Sequence, residues 1–175
     1  MKKIIKIVLI VCTIIVILDQ LTKFLVIKYI SSGFGNQNFK VEIVENTGMA
    51  FGFNDGNTKN IFLTVIILFI IISFLRNQKN ELDTKTTIAV SLALGGGISN
   101  LIDRIFRGGV LDFISIWKFP KFNIADVSIC IAWFLLIIFL IIYTNKKDVI
   151  KEVPKEELII KDNGNKNRSK NWKTR

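Results

Sequence analysis

Between residues 95 and 126 the chain reads GGGISNLIDRIFRGGVLDFISIWKFPKFNIAD, with apolar runs on both sides. The stretch holds three carboxylates (Asp103, Asp112 and Asp126), Arg104, and two asparagines, Asn100 and Asn123. An ionisable group beside hydrocarbon costs roughly 2.5–3.5 kcal/mol at a helix centre, so such groups are rare and usually functional. The chain contains no histidine, which excludes the Ser-His-Asp and Cys-His mechanisms and removes the commonest zinc ligand. Both cysteines, Cys12 and Cys130, fall in apolar runs and read as small buried hydrophobes, neither a disulfide nor a thiol nucleophile. Carboxylate, lysine, hydroxyl and amide remain. Two aspartates that cannot both ionise share one proton. The ionised member then takes a proton from water while the protonated member polarises the carbonyl under attack.

Asp112 sits in the strand-like Val-Leu-Asp-Phe and Asp126 at a helix start, so regular structure fixes each of them close to a loop. Asp103, three residues after Asn100 and next to Arg104, reads as a supporting carboxylate at a helix end. A helix N-terminus favours an ionised Asp126 by about 0.3–1 kcal/mol, which favours it slightly as the base and leaves open which aspartate starts protonated. The plainer readings are an N-cap for Asp126 and an exposed strand acid for Asp112.

Four apolar runs must position these groups: 4–27, 61–75, 88–105 and 127–143. Half of the 175 residues are apolar and mean hydropathy is +0.44, although 22% are charged. Apolar and charged residues are segregated, and a membrane protein follows. The first run resembles a secretory signal without a cleavage site, and reads as an uncleaved span entering from the cytoplasm. Near its far end Asp19 and Lys23 stand four apart, acid first, and can pair. Either they snorkel to the interface as a helix-end pair or they serve the site directly. Residues 31–38 read as loop. Asn38-Phe-Lys-Val-Glu-Ile-Val alternates like a short strand, residues 110–117 could pair with it, and residues 52–60 carry turn signals. The second run is short unless flanking residues extend it, the loop 76–87 is polar, and Gly95–Gly97 lets helices approach closely. Trp117 suits an interface.

Five blocks in order, Asp19-Gln-Leu-Thr-Lys23, Asn46-Thr-Gly-Met-Ala-Phe51, Gly96-Gly-Ile-Ser-Asn-Leu-Ile-Asp-Arg104, Val110-Leu-Asp-Phe113 and Phe122-Asn-Ile-Ala-Asp126, resemble those of the lipoprotein signal peptidases, the type II bacterial signal peptidases. Ser99 stands where glycine is expected. The resemblance implies an aspartic endopeptidase of the inner membrane that removes the signal peptide of diacylglyceryl-modified prolipoproteins, cutting before the lipidated cysteine. It implies Asp112 and Asp126 as the catalytic dyad. Asn46, Arg104 and Asn123 would contact substrate or orient the acids, with Asp19, Lys23, Asn100 and Asp103 in support. The implied fold is four transmembrane helices with a small extracytoplasmic β-sheet, a cradle, and the implied inhibitor is the cyclic peptide globomycin. No cofactor and no metal is expected, and the chain is expected to be a monomer.

Residues 1–145 are thus expected to form the membrane domain and 146–175 a disordered cytoplasmic tail. The tail holds ten Lys/Arg against five acids, half of the net charge of +10. A basic tail beside a membrane helix fits anionic lipid better than nucleic acid. Four spans bring both termini to one side, and the basic ends place that side in the cytoplasm. The acids then lie near the outer leaflet. A transporter with acids as relay sites is one rival reading. A cation-binding module using Asp103, Asp112 and Asp126 is another.

Overall fold

The structure, a computed structural model, describes residues 2–30, 33–48, 57–78 and 82–152, with helix only from 145 onward. Residues 31–32 of the expected loop, 49–56 of the expected turn and of the second sequence block, and the tail beyond 152 lie outside the described residues. The chain divides into two compact units, Met1–Leu136 and Ile137–Arg175. The helix packing, the sheet and the acids all belong to the first unit; the described part of the second is the remainder of the last helix.

The elements are α1 (Lys2–Tyr29), β1 (Phe34–Gly35), β2 (Phe39–Asn46), α2 (Asn57–Asn77), α3 (Thr84–Phe106), β3 (Val110–Ile116) and α4 (Ile124–Glu152). Among the described residues, four segments are long and apolar enough to cross a membrane: α1, α2, α3 and Ile124–Thr144 of α4. Large apolar side chains such as Leu9, Phe62, Phe69, Trp133 and Phe134 point outward, as lipid-facing surfaces require. The flanking polar residues do extend the second run, from Asn57 to Asn77.

α3 is the least apolar span and the most buried, because it is the helix the others pack on. Its three glycines show how. Successive helical residues point about 100° apart, so Gly95, Gly96 and Gly97 face three directions. Gly95 lies against the backbone of Cys12 in α1, Gly96 against Ala125 and Ser128 in α4, and Gly97 against Leu68 in α2. The helix runs through them unbroken. A Cβ on Gly96 would sit 2.5 Å from the carbonyl oxygen of Ala125, a backbone atom that cannot turn away; on Gly97 it would meet only the tip of Leu68. Gly96→Ala is therefore expected to cost about 1–3 kcal/mol and Gly97→Ala much less, a difference read from thermal unfolding in detergent.

The small sheet has the order β1-β2-β3, antiparallel throughout. The pairing of β2 with β3 is the one expected; β1, within the expected loop, is an addition. β3 ends at Ile116 because Trp117 takes φ 45°, a left-handed conformation that leaves the strand path. Alternate residues of β3 face opposite ways. Leu111 and Phe113 pack with Val26, near the end of α1, so Asp112 points to the other face. In β2 the register shifts between Val41 and Val44: Val41 pairs with Ile114, but Val44 pairs with Asp112. The extra residue is a β-bulge, and it re-aims the rest of the strand. It places Val44 and Asn46, not Ile43 and Glu45, on the face of Asp112.

Candidate active site

After β3 the chain turns back on itself. Phe122 bridges to Ile114, with hydrogen bonds of 3.1 Å and 2.9 Å between their backbones. That return delivers Asn123 beside Asp112, and its side-chain amide donates to Asp112 Oδ1 at 2.8 Å. Asn123 also starts α4. Its Oδ1 accepts from the Asp126 N–H at 2.9 Å, while Asp126 Oδ2 accepts from the Asn123 N–H at 3.2 Å. This reciprocal pair is a capping box. Asp126 is thus the acid of the box, with Asn123, rather than Asp126, as the N-cap.

Each oxygen of both carboxylates accepts a hydrogen bond. Asp112 Oδ2 takes the amide of Asn46 at 2.9 Å, and Asp126 Oδ1 takes that of Asn100 at 2.8 Å. The Asn123 amide further donates to Asn100 Oδ1 at 3.3 Å. Asn123 therefore touches both acids, and with Asn46 and Asn100 it fixes their planes. Asp112 is buried, not an exposed strand acid. Its carboxyl is pushed up to about 6, first by burial and then by the charge of Asp126, against the pull of the Asn46 and Asn123 amides and of Lys23. Burial disfavours the charged form, so the proton stays on to higher pH than on a free aspartate.

Behind the acids lies a second cluster. Lys23 Nζ sits 2.6 Å from Asp19 Oδ2 and 2.6 Å from Asp103 Oδ2, all three side chains at 0% exposure. The pair does not snorkel. Asp19 Oδ1 also accepts from the Ala125 N–H of α4 at 2.9 Å, and Asp103 Oδ2 from the Leu111 N–H of β3 at 3.1 Å. Ser99 donates to Asp19 Oδ2 at 2.7 Å, Gln20 to Asp103 Oδ1 at 2.9 Å, and Arg107 pairs with Asp103. Asp103 thus faces Lys23, Gln20 and Arg107 rather than its neighbour Arg104. The hydroxyl of Ser99, at the position where glycine is expected, has a defined task in this cluster. Sequence reasoning misses Gln20 and Arg107; the spacing Asp103–Arg107, one helical turn, is the available signal for Arg107.

A cavity of about 1070 Å³ opens onto the acids. Asn46, Gly48, Asn100, Arg104, Asp112 and Asp126 line it, together with Val127, Ile129 and Ile131 of α4. Arg104 donates to the Gly48 carbonyl at 3.4 Å, and its buried Nε has no hydrogen-bond partner among the described residues. The same wall holds Cys130, which is exposed, a correction to its reading as a buried hydrophobe; Cys12 is buried as expected. Cys130 comes one helical turn after Asp126 and lines the same cavity.

Four membrane-length helices among the described residues, with two amide-held carboxyls at one cavity, Asp112 buried and Asp126 half-buried, form a multi-pass membrane protein whose site is equipped for acid–base chemistry. A family model described as signal peptidase (SPase) II matches residues 11–142, and the chain belongs to that family, a family of peptidases. The lipoprotein signal peptidase of Borrelia hermsii (strain HS1 / DAH) is 37% identical over 153 residues, covering 76% of this chain and 88% of that one. That of Bacillus subtilis (strain 168) is 36% identical over 143 residues, covering 76% and 92%. Among solved structures, a bacterial membrane enzyme determined by the in meso method at 2.3 Å resolution superposes with a TM-score of 0.72 at 31% identity, covering 80% of this chain and 90% of that one.

Proposed function

We propose that this chain removes the signal peptide from diacylglyceryl-modified prolipoproteins, cutting before the lipidated cysteine, with Asp112 and Asp126 sharing one proton. The observation that carries the reading is that one residue, Asn123, binds both carboxyls at the wall of one cavity. Asp126, the acid of the capping box in the first turn of α4, is the base. Asp112 holds the proton. Asp126 takes a proton from water as its oxygen attacks the scissile carbonyl, and the Asp112 proton moves toward the carbonyl oxygen. Asp126 then gives its proton to the amide nitrogen as the C–N bond breaks, and Asp112 takes back a hydroxyl proton as the gem-diol collapses to the new carboxyl group, which restores the singly protonated pair.

Asn46, Asn100 and Asn123 hold the acids in plane. Arg104, at the cavity wall, meets the substrate backbone. Asp19, Lys23 and Asp103 support the frame. The apolar residues of α4 at the cavity take the acyl chains of the substrate, and a globomycin-type cyclic peptide competes for the same space. Four crossings return the chain to its starting side. The basic ends place that side in the cytoplasm of a bacterial inner membrane, and the acids near the outer leaflet.

The test is a gel-shift cleavage assay in detergent on a diacylated preprotein, in EDTA, across a pH series. Cleavage is expected to persist in EDTA. Because the upper proton of the pair is held by a group raised to about 6, the singly protonated pair is lost as pH rises through that value. The rate is expected to fall about tenfold per unit above it. Loss of activity in EDTA would instead support a metal, and a flat profile would exclude a shared proton.

A further inference from the structure

We propose that Asn60 and Asn57, in the first turn of α2, are positioning residues that clamp the turn after β2 and the end of α3, and so keep the Asn46 amide on Asp112. The proposal rests on the acid-pair reading of the site. Asn60 is 1% exposed in a helix whose other sides carry exposed Phe62, Ile66 and Phe69. A buried amide in such a helix is costly unless hydrogen-bonded. Its Nδ2 donates to the carbonyl of Thr47 at 2.9 Å.

Thr47 is the middle of a turn that decides what Asn46 can do. The Gly48 N–H donates to Asn46 Oδ1 at 3.1 Å, which leaves Asn46 Nδ2 to donate to Asp112 Oδ2. The paired ladder of β2 and β3 reaches only to Asn46 opposite Val110. Beyond it, side chains hold the turn: Asn60 on the Thr47 carbonyl and Arg104 on the Gly48 carbonyl. Asn57, one turn before Asn60 on the same face, donates from Nδ2 to the Arg104 carbonyl at 2.9 Å. That carbonyl is among the last four of α3, which have no partner within the helix. The first turn of α2 thus grips both the Asn46 turn, at Thr47, and the α3 residue whose side chain holds it, Arg104. Thr64 donates to the Asn60 carbonyl at 2.7 Å, one turn further along.

The charged groups around Asp112 are Asp126 from α4, Arg104 from α3 and Lys23 from α1, with Glu45 of β2 and Lys121 of the segment before α4 on the same cavity. Asn60→Leu leaves all of them in place and removes the grip on Thr47. It is expected to lower kcat on the diacylated preprotein by about 10- to 100-fold, the cost of small misplacements at a reacting centre, with KM within about twofold. The alkaline limb is expected to move to higher pH, because Asp112 loses the Asn46 amide that favours its charged form. Asn60→Gln, which keeps the donor, restores most of the rate. In a double-mutant cycle, Asn46→Ala with Asn60→Leu is no slower than Asn46→Ala alone. If Asn60→Leu yields no folded protein, Asn57→Ala enters the same cycle. Additive losses in the cycle, an unshifted limb, or a lower yield with unchanged kcat per folded enzyme would each overturn the proposal. Failure of the acid-pair reading shows separately, as turnover by Asp112→Asn.

Discussion

Asp112→Asn and Asp126→Asn are each expected to slow cleavage by about 10³-fold or more, the range of a general acid–base group removed from its transition state. The double variant is expected to be no slower than either single one, because in the proposed mechanism the two acids act through one shared proton. The hydrogen-bond pattern sets what else changes. Both oxygens of Asp112 accept from amides, so an asparagine there turns one acceptor into a donor facing a donor. The same holds at Asp126, between the Asn100 amide and the Asn123 N–H. Each mismatch costs about 1–3 kcal/mol, part of which is offset by removing a buried charge. Activity must therefore be scaled to folded protein, measured by thermal unfolding in detergent. Substantial turnover per folded molecule by either single variant would remove that residue from the dyad.

The acids are legible in the sequence because local chemistry announces them. An aspartate in an apolar, strand-like tetrapeptide and an Asn-Ile-Ala-Asp ahead of a 17-residue apolar run each have a structural meaning before any fold is known. The capping box is contained in that second string. The bulge in β2 is also written in the chain, as the adjacent Ile43-Val44 that breaks the alternation of Phe39, Val41 and Ile43. β1 is not legible, since two residues carry no period. The spacing of Asp19 and Lys23 shows that they can pair. Whether the pair faces water or the interior depends on Asp103, which comes from a different helix. Asn57 and Asn60 stand at the edge of an apolar run, where polar residues ordinarily meet the interface. Their hydrogen bonds reach the turn after β2 and the end of α3, contacts between segments that no local pattern encodes.

Lys23→Met is expected to be the most damaging substitution outside the acid pair, for a reason that joins stability to catalysis. The ammonium lies between two carboxylates, all at 0% exposure, and those carboxylates hold the backbones that carry Asp112 and Asp126. Asp103 binds the N–H of Leu111, the residue before Asp112; Asp19 binds the N–H of Ala125, the residue before Asp126. One cation from α1 thus registers β3 and α4 against each other. Removing it leaves two buried acids with Arg107 as the remaining cation on Asp103, and breaking a buried pair in this way costs about 3–5 kcal/mol. Lys23→Met is expected to accumulate poorly, to unfold at lower temperature, and to cleave slowly even when corrected for folded fraction, because either backbone is free to shift. Adding Asp19→Asn removes one orphaned charge and is expected to recover part of the unfolding temperature, since contacting residues in one network are coupled. It is not expected to recover the rate, because the ammonium that ties Asp103 to α1 is still missing. A Lys23→Met protein as stable and as fast as the parent would mean that the sheet and α4 are held in register by packing alone, with the Gly96–Ala125 contact the first place to look.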